Sequence, residues 1–350
     1  MPVAATRSTA TPAPAPLPRT RPARGVPLLI GAVVLVLVAV LLGVALGARD
    51  IAPADVLRIV LFGQQGYDAD VLWVERIPRT MLGALVGAAL GGSGLVMQAL
   101  TRNPLADPGI LGIEVGAALF VVLAIVLFDI HGLHGYFWFA LAGAAVTAAL
   151  VYLIGTRTAS GDPTLGLVLA GAAVAACLAS VTTLLVVRDE AVFASLRFWS
   201  VGQLTGRADV LGDALPFLLA GLLVAPLLGR SLNILGLGQD TAAGLGLSVG
   251  RTQLLVAAVA VLLCAAATAA AGPVAFVGLV AAHIARMLIG ADHRWSLPLA
   301  MLTGAALLLL ADVAGRLGPG AGEIPVGIMT ALVGTPFFVW LARRRELVTL

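Results

Sequence analysis

The feature that most limits what this chain can become is the recurrence of apolar runs close to the length of a bilayer span. They fall at about 26–48, 80–100, 109–128, 134–156, 164–187, 210–229, 251–272, 274–290, 297–317 and 325–342. Hydrocarbon offers no water to backbone N–H and C=O groups, so such runs must be helices that bond within themselves. A run of about 20 apolar residues crosses a core about 30 Å thick. The expectation is an all-α polytopic membrane protein with about ten transmembrane helices over residues 26–350. Several runs are short, which predicts tilted or partly buried helices.

Composition narrows the functional classes. Of 350 residues, 60% are hydrophobic and 11% charged, with a mean hydropathy of +1.05. All 21 basic residues are arginine, and the chain contains no lysine. That excludes a P-loop, whose lysine reaches nucleotide phosphates, and Schiff-base chemistry. The chain is therefore not an ATPase, and any ATP hydrolysis that serves it belongs to another subunit. A net charge of +3 without a long basic run fits arginines facing cytosol and anionic lipid better than nucleic acid. No His, Cys or carboxylate cluster has metal-ligand spacing, and no dinucleotide glycine fingerprint occurs, so neither metal nor cofactor is expected. Cys177 and Cys264 stand far apart inside apolar runs and read as small packing residues.

Residues 1–25 are rich in Ala, Pro, Thr and Arg and read as a disordered cytoplasmic tail. An even number of spans puts both termini on one side. Arg7, Arg19, Arg21 and Arg24 at one end, with Arg343, Arg344 and Arg345 at the other, make that side cytoplasmic. Within the spans, stretches such as Gly83-Ala-Leu-Val-Gly-Ala-Ala-Leu-Gly-Gly-Ser-Gly94 carry small residues at spacing four, which lets backbones approach closely.

One polar stretch interrupts this pattern, Leu235-Gly-Leu-Gly-Gln-Asp-Thr-Ala-Ala-Gly-Leu-Gly246, within a cytoplasmic segment at about 230–250. Gln239 and Asp240 are too costly for hydrocarbon. Gly236 and Gly238 loosen the approach, and Gly244 and Gly246 end a short helix. Leu235, Leu237, Ala242, Ala243 and Leu245 would give that helix an apolar face. On the residues alone it is either a docking surface for a soluble partner or an ordinary interfacial helix.

A second interruption is Arg102-Asn-Pro-Leu-Ala-Asp-Pro-Gly-Ile-Leu-Gly112. Its prolines prevent continuous helix, predicting a hook at the cytoplasmic surface with Asn103 and Asp107 placed to cap it. Glu114 then lies either near cytoplasmic water or along a path. Asp312 and Arg316 are spaced to pair on one helix face. Glu75 is placed to pair with Arg79, and Arg76 to anchor at headgroups. His283 and Arg286 fall near the inner boundary. So few intramembrane ionisable groups weigh against a proton-coupled secondary transporter.

Taken in order, these motifs resemble the permease subunits of ABC importers for vitamin B12 and ferric siderophores. The resemblance rests on Arg76-Ile-Pro-Arg79, Gln98-Ala-Leu-Thr-Arg-Asn-Pro-Leu-Ala-Asp-Pro-Gly109, the Leu235–Gly246 stretch and Gly272-Pro-Val-Ala-Phe-Val-Gly-Leu-Val280. Ala291-Asp-His-Arg294 and Glu323-Ile-Pro-Val-Gly327 complete it. Within the family, Leu196-Arg-Phe-Trp199 and Ala291-Asp-His-Arg-Trp-Ser-Leu-Pro298 are most similar to ferric enterobactin permeases.

The resemblance implies a multi-pass inner-membrane permease that pairs with a second copy or a paralogue. It also implies cytoplasmic ATPase subunits and an extracytoplasmic substrate-binding protein as partners. The family's central segment inserts into a groove of the ATPase, a role carried here to Leu235, Gly238, Gln239, Asp240, Ala242, Leu245 and Gly246. The family often has glutamate where Gln239 stands and arginine or a similar residue near Ala243 or Gly244, so shape rather than charge would carry docking. The family usually has proline before the histidine of the eighth span, whereas Ala281-Ala-His283 predicts a straighter helix. Arg76, Arg79 and Arg316 are implied to receive carboxylates from the binding protein. Thr164 and Leu165 align with the cytoplasmic gate, where a bulky neck excludes a large solute. The implied activity is import of a ferric siderophore by alternating access, with catecholate, hydroxamate, haem and cobalamin cargo left open by the motifs.

Overall fold

The computed structural model describes residues 25–47, 51–158, 163–318 and 322–343. All but the last residue of the expected N-terminal tail, and Arg344 and Arg345, lie outside them. Helix α1 spans Gly25–Ala45, α2 Pro53–Phe62 and α3 Tyr67–Asp70, and a π-helical turn, Val71–Arg76, runs into α4, Ile77–Thr101. A 3-10 turn, Pro108–Leu111, precedes α5 (Ile113–Phe128), α6 (Leu133–Thr158), α7 (Pro163–Val186), α8 (Glu190–Ser200) and α9 (Ala208–Val224). A second, Ala225–Leu228, leads into α10 (Gly229–Gly236), α11 (Gln239–Gly244), α12 (Val249–Ala271), α13 (Val277–Ile289), α14 (His293–Arg316) and α15 (Val326–Arg343).

Among the described residues, 7 helical stretches are long and apolar enough to cross a membrane. Three shorter apolar helices, Ile113–Phe128, Val277–Ile289 and Val326–Leu341, occupy the remaining expected spans. The second span differs from its expected start near residue 80, because helix continues back to Tyr67. Pro78 cannot donate a hydrogen bond and its ring crowds the carbonyl four residues back. The π turn widens the helix there, with the Ile77 N–H reaching the Leu72 carbonyl. Helices α2 and α8 also lie outside the expected spans. The first, with Ile51 just ahead of it, packs Val56 and Ile59 over Ala69 and Leu72. The second is started by Asp189, whose Oδ1 accepts from the Ala191 N–H at 2.8 Å.

Helix α4 is the centre of the bundle, packed by α14, α12, α13 and α9. Water does not drive helices together in lipid, so contact depends on close packing. Here the glycine pattern has its effect. A Cβ on Gly87 would lie 2.5 Å from the Gly304 carbonyl oxygen, and one on Gly94 would lie 2.5 Å from that of Gly278. Gly91 faces the Ala300 carbonyl in the same antiparallel register. Ser93 spends its hydroxyl on the Ala260 carbonyl at 2.7 Å, tying α4 to α12. Arg286 of the unbroken α13 donates to Gln98 of α4. Cys264 is buried as a packing residue, but Cys177 corrects its expected role, since it lies on an exposed face of α7.

The hook after α4 also departs from expectation. It starts at the bundle's end, where Arg102, Asn103 and Leu105 are exposed, and then folds back into the bundle from Ala106 onward. Asp107 caps the 3-10 turn by accepting from the Gly109 N–H at 2.8 Å, and Asn103 accepts from the Leu105 N–H at 2.9 Å. Gly112, at a φ of 70° that suits glycine, then sits against Thr147, near the middle of α6, and by Ala175 of α7. Helix α5 consequently begins inside the bundle, which is why 16 residues suffice for it. Half-buried Glu114, in its first turn, lies among neighbouring helices and not at the bundle's end.

Replacing Gly91 by Leu should drive a side chain into the Ala300 backbone and cost about 1–3 kcal/mol or more. The thermal unfolding midpoint in detergent should fall, while Gly31→Leu, where a Cβ meets nothing within 4 Å, should leave it in place. Equal midpoints for the two variants would contradict the packing account.

Candidate coupling segment and the arginine cluster at the opposite end

Helices α10 and α11 form a bracket at one end of the bundle. Gly238, at φ 106°, turns the chain between them. Gly246, at φ 84°, closes α11: the Leu247 N–H reaches the Ala242 carbonyl at 3.0 Å and its own N–H reaches Ala243 at 2.9 Å. That double bond with a left-handed residue is a Schellman closure, and glycine meets its backbone requirement at no steric cost. Gly236 and Gly244, by contrast, are helical.

The expected single apolar face is split. Leu235 and Ala242 point into the protein, while Leu237 is 59% and Leu245 63% exposed. Gln239, Asp240, Thr241 and Ala243 are exposed with them, and Gly238 is half-buried. The inward pair anchors the bracket. The outward residues present a small, mixed surface with two leucines that nothing among the described residues covers.

Two side chains fasten the bracket to the core. Arg102, the C-cap of α4, donates to the Leu235 carbonyl at 2.9 Å. Asn233 of α10 donates to Asp292 Oδ1 at 2.7 Å and accepts from the His293 N–H at 2.8 Å. Its Oδ1 also lies 2.8 Å from His293 Nδ1. Asp292 in turn caps α14 through the Arg294 N–H at 3.0 Å. Three motifs separate in sequence, at 98–109, 235–246 and 291–294, thus converge. Asn233 was missed in the sequence because it lies just outside the motif it holds; a lone amide ahead of a polar stretch gives no sign of its partner.

At the other end of α4 and α14 lies a cluster of charges. Arg79 contacts Asp312 Oδ1 through Nη2 at 2.7 Å and Glu323 Oε2 through Nη1 at 2.7 Å. Thr205 donates to the same Glu323 oxygen at 2.9 Å. Arg316 pairs with Asp312 at 3.1 Å, as its spacing predicts, and donates to the Gly43 and Leu46 carbonyls at 2.9 and 2.8 Å. Arg76 donates to the Val44 and Ala45 carbonyls at 3.0 and 2.8 Å. Two expectations are corrected here. Arg79 turns inward to Asp312 and Glu323 and not to exposed Glu75, and Arg76 is buried against α1 and not at headgroups.

The physical reason is that the last carbonyls of a helix have no partner within it. Arg76 and Arg316 supply donors to the end of α1, where the helix dipole also favours positive charge. Buried Arg207 does the same for α12 by donating to Ala270 at 2.9 Å. Burial pulls the Arg207 guanidinium down to about 10, so it stays charged at neutral pH. Asp312 and Arg79 are 3% and 12% exposed, and removing one member of such a buried pair costs about 3–5 kcal/mol.

Thr164 and Leu165 fall in the first turn of α7, and their side chains lie outside the described residues, as does the loop at 159–162. Exposed Arg102, Gln239 and half-buried Gln253, with Leu100, Leu167 and Leu235, line a mixed cleft of about 360 Å³ beside the bracket.

Burial pushes the Glu323 carboxyl up, but the hydrogen bond and charge of Arg79, aided by Thr205 and Arg316, hold it below its ordinary 4.5. A lowered folded value means its stabilisation is complete above about 4.5 and is lost as pH falls through that lowered value. The thermal midpoint in detergent should therefore drop on acidification below that range, and drop less steeply in Glu323→Gln. Parallel acid profiles would remove Glu323 from the account.

Comparison with known proteins agrees with this architecture. The model of the FecCD transport family matches residues 35–344. The chain is 41% identical over 317 residues to the ferric enterobactin transport system permease protein FepD of Escherichia coli, covering 90% of this chain and 94% of the relative. It is 43% identical over 272 residues to the cobalamin import system permease protein BtuC of Halobacterium salinarum, covering 77% and 73%. A solved inward-facing conformation of a protein assigned to the metal-chelate type of ABC transporter matches with a TM-score of 0.79 at 29% identity, covering 91% of this chain and 99% of that one. With motifs, helix order and these matches in accord, the chain belongs to the FecCD transport family of ABC-importer permease subunits.

Proposed function

We propose that this chain is the inner-membrane permease of a binding-protein-dependent ABC importer for a ferric siderophore. Ten spans place both termini in the cytoplasm, and a second copy or a paralogue completes the path. The observation that carries the reading is the bracket at α10 and α11: two exposed leucines, Leu237 and Leu245, flank a short helix that is fastened from behind. Such a surface suits a soluble partner, because the anchoring contacts lose little freedom on binding. The partner is a cytoplasmic ATPase subunit, contacted by Gln239, Asp240, Leu245 and Gly246, with Leu235, Gly238 and Ala242 shaping the surface from within. ATPase closure then changes which side of a shared cavity is open. Iron-siderophore cargo is favoured by similarity to the enterobactin permease over nearly the whole of both chains.

Leu245→Asp and Asp240→Arg should weaken retention of the ATPase by roughly tenfold or more, the scale of losing one anchoring contact. Uptake of ferric enterobactin should fall with it while membrane insertion persists. Wild-type complex recovery and uptake in both variants would refute the reading, and uptake of cobalamin in place of the iron complex would redirect its cargo.

The binding protein docks at the opposite end, where Arg76, Arg79 and Arg316 offer the guanidinium forks that suit carboxylates. Their internal acceptors give docking the character of an exchange. A carboxylate arriving at Arg79 replaces Glu323, the more exposed of its two partners. Arg76→Glu combined with Arg79→Glu should abolish binding-protein-dependent uptake, and reversing the matching acids on the binding protein should restore part of it. Because these arginines also hold the fold, complex recovery is measured alongside. Normal docking by a well-folded double variant at low salt, where screening is weakest, would sink the proposal.

A further inference from the structure

The two sites above share two helices. Helix α4 has Arg102 at the bracket and Arg79 in the charge cluster, and α14 has His293 at the bracket and Asp312 with Arg316 in the cluster. Between those ends the pair meets backbone to backbone at Gly87, Gly91, Ala300 and Gly304. A contact without side chains at its closest points has no rotamers to absorb a displacement. The 24 residues of α14 span about 36 Å at 1.5 Å per residue, so the pair connects sites at opposite ends of the bundle.

We infer that α4 and α14 act as one rigid beam that carries the position of the bracket to the charge cluster, and that Asn233 is the positioning residue at its inner joint. Asn233 suits that role because its amide grips α14 at two points. Its Nδ2 holds the Asp292 cap, and its Oδ1 takes the first N–H of the helix. Movement of α10 therefore displaces the start of α14 itself and not merely a flexible side chain. The other tie, from Arg102, ends on one backbone carbonyl and grips less specifically. The inference rests on the proposed docking of an ATPase at the bracket and of a binding protein at the cluster. It adds the route by which one reports to the other.

The test uses the assembled permease–ATPase complex in proteoliposomes with its binding protein loaded with ferric enterobactin. The quantity read is the ratio of stimulated to basal ATP hydrolysis. Asn233→Ala should lower the stimulation by roughly fivefold or more, the lower range of measured couplings between sites, with the ratio normalised to the ATPase retained in the complex. Asn233→Asp should also lower it, since two carboxylates would then face each other. Combining Asn233→Asp with Asp292→Asn removes that repulsion and, with a turn of the new amide that leaves its oxygen on the Arg294 N–H and its nitrogen toward position 233, should restore the ratio at least in part. Lost packing alone would not be rescued by that exchange. Wild-type stimulation in Asn233→Ala, or no rescue by the exchanged pair, overturns the inference. So does loss of the ATPase from Asn233→Ala, because the residue would then shape docking and not transmission. If Leu245→Asp and Asp240→Arg both keep wild-type complex recovery and uptake, the functional reading itself fails; if they release the ATPase and Asn233→Ala keeps full stimulation, only the beam falls.

Discussion

The close approach of α4 to α14 is the contact on which the remaining arrangement depends. In lipid, two helices gain nothing from hiding apolar side chains, so they must gain from fitting together. Gly87, Gly91 and Gly304 remove the side chains that would hold the helices apart. That fit fixes an antiparallel register, and register fixes which polar groups meet. About two turns beyond Gly87 and Gly304 the same alignment brings Arg79 opposite Asp312. In the other direction it brings the end of α4 and the start of α14 to the same bracket.

Polar groups are concentrated where helices end, and the chain satisfies them with arginine donors at helix C-termini and aspartate acceptors at helix N-termini. Arg76 and Arg316 serve α1, Arg207 serves α12, and Asp292 and Asp189 cap the starts of α14 and α8. An arginine without a lysine alternative suits this role, because a planar fork can serve a carboxylate and adjacent carbonyls together. Arg316 does so with Asp312, Gly43 and Leu46. The charge cluster is thus part of the framework as well as the proposed place of docking. The same feature can hold a fold together and respond to a partner, because Glu323 at its edge is more exposed than Asp312 at its centre.

Much of this was legible in the residues. The apolar runs, the small-residue spacing on α4, the Asp312–Arg316 pair, the hook at Pro104 and Pro108 and the short helix after Gly238 all follow from local rules of spacing and stereochemistry. The misreadings share a different origin. Prolines say where a helix stops and not where the chain then goes, so the hook's turn from the surface into the bundle carries no mark in the residues. Periodicity puts the five apolar residues of the central stretch on one face because it assumes one straight helix, whereas Gly238 breaks it into two.

Sequence by itself determined that this is a helical membrane protein, roughly where its helices lie, and which stretch could not be buried in lipid. Those properties depend on neighbouring residues and on the bilayer as solvent, so they can be read locally. Only the tertiary structure decided who partners whom. It turned Arg79 to Asp312 and Glu323, gave the ends of α1 and α12 their arginines, and joined Asn233 to Asp292 and His293. Each of those bonds joins residues distant in sequence, and a donor carries no mark of its acceptor until helix packing sets the register between them.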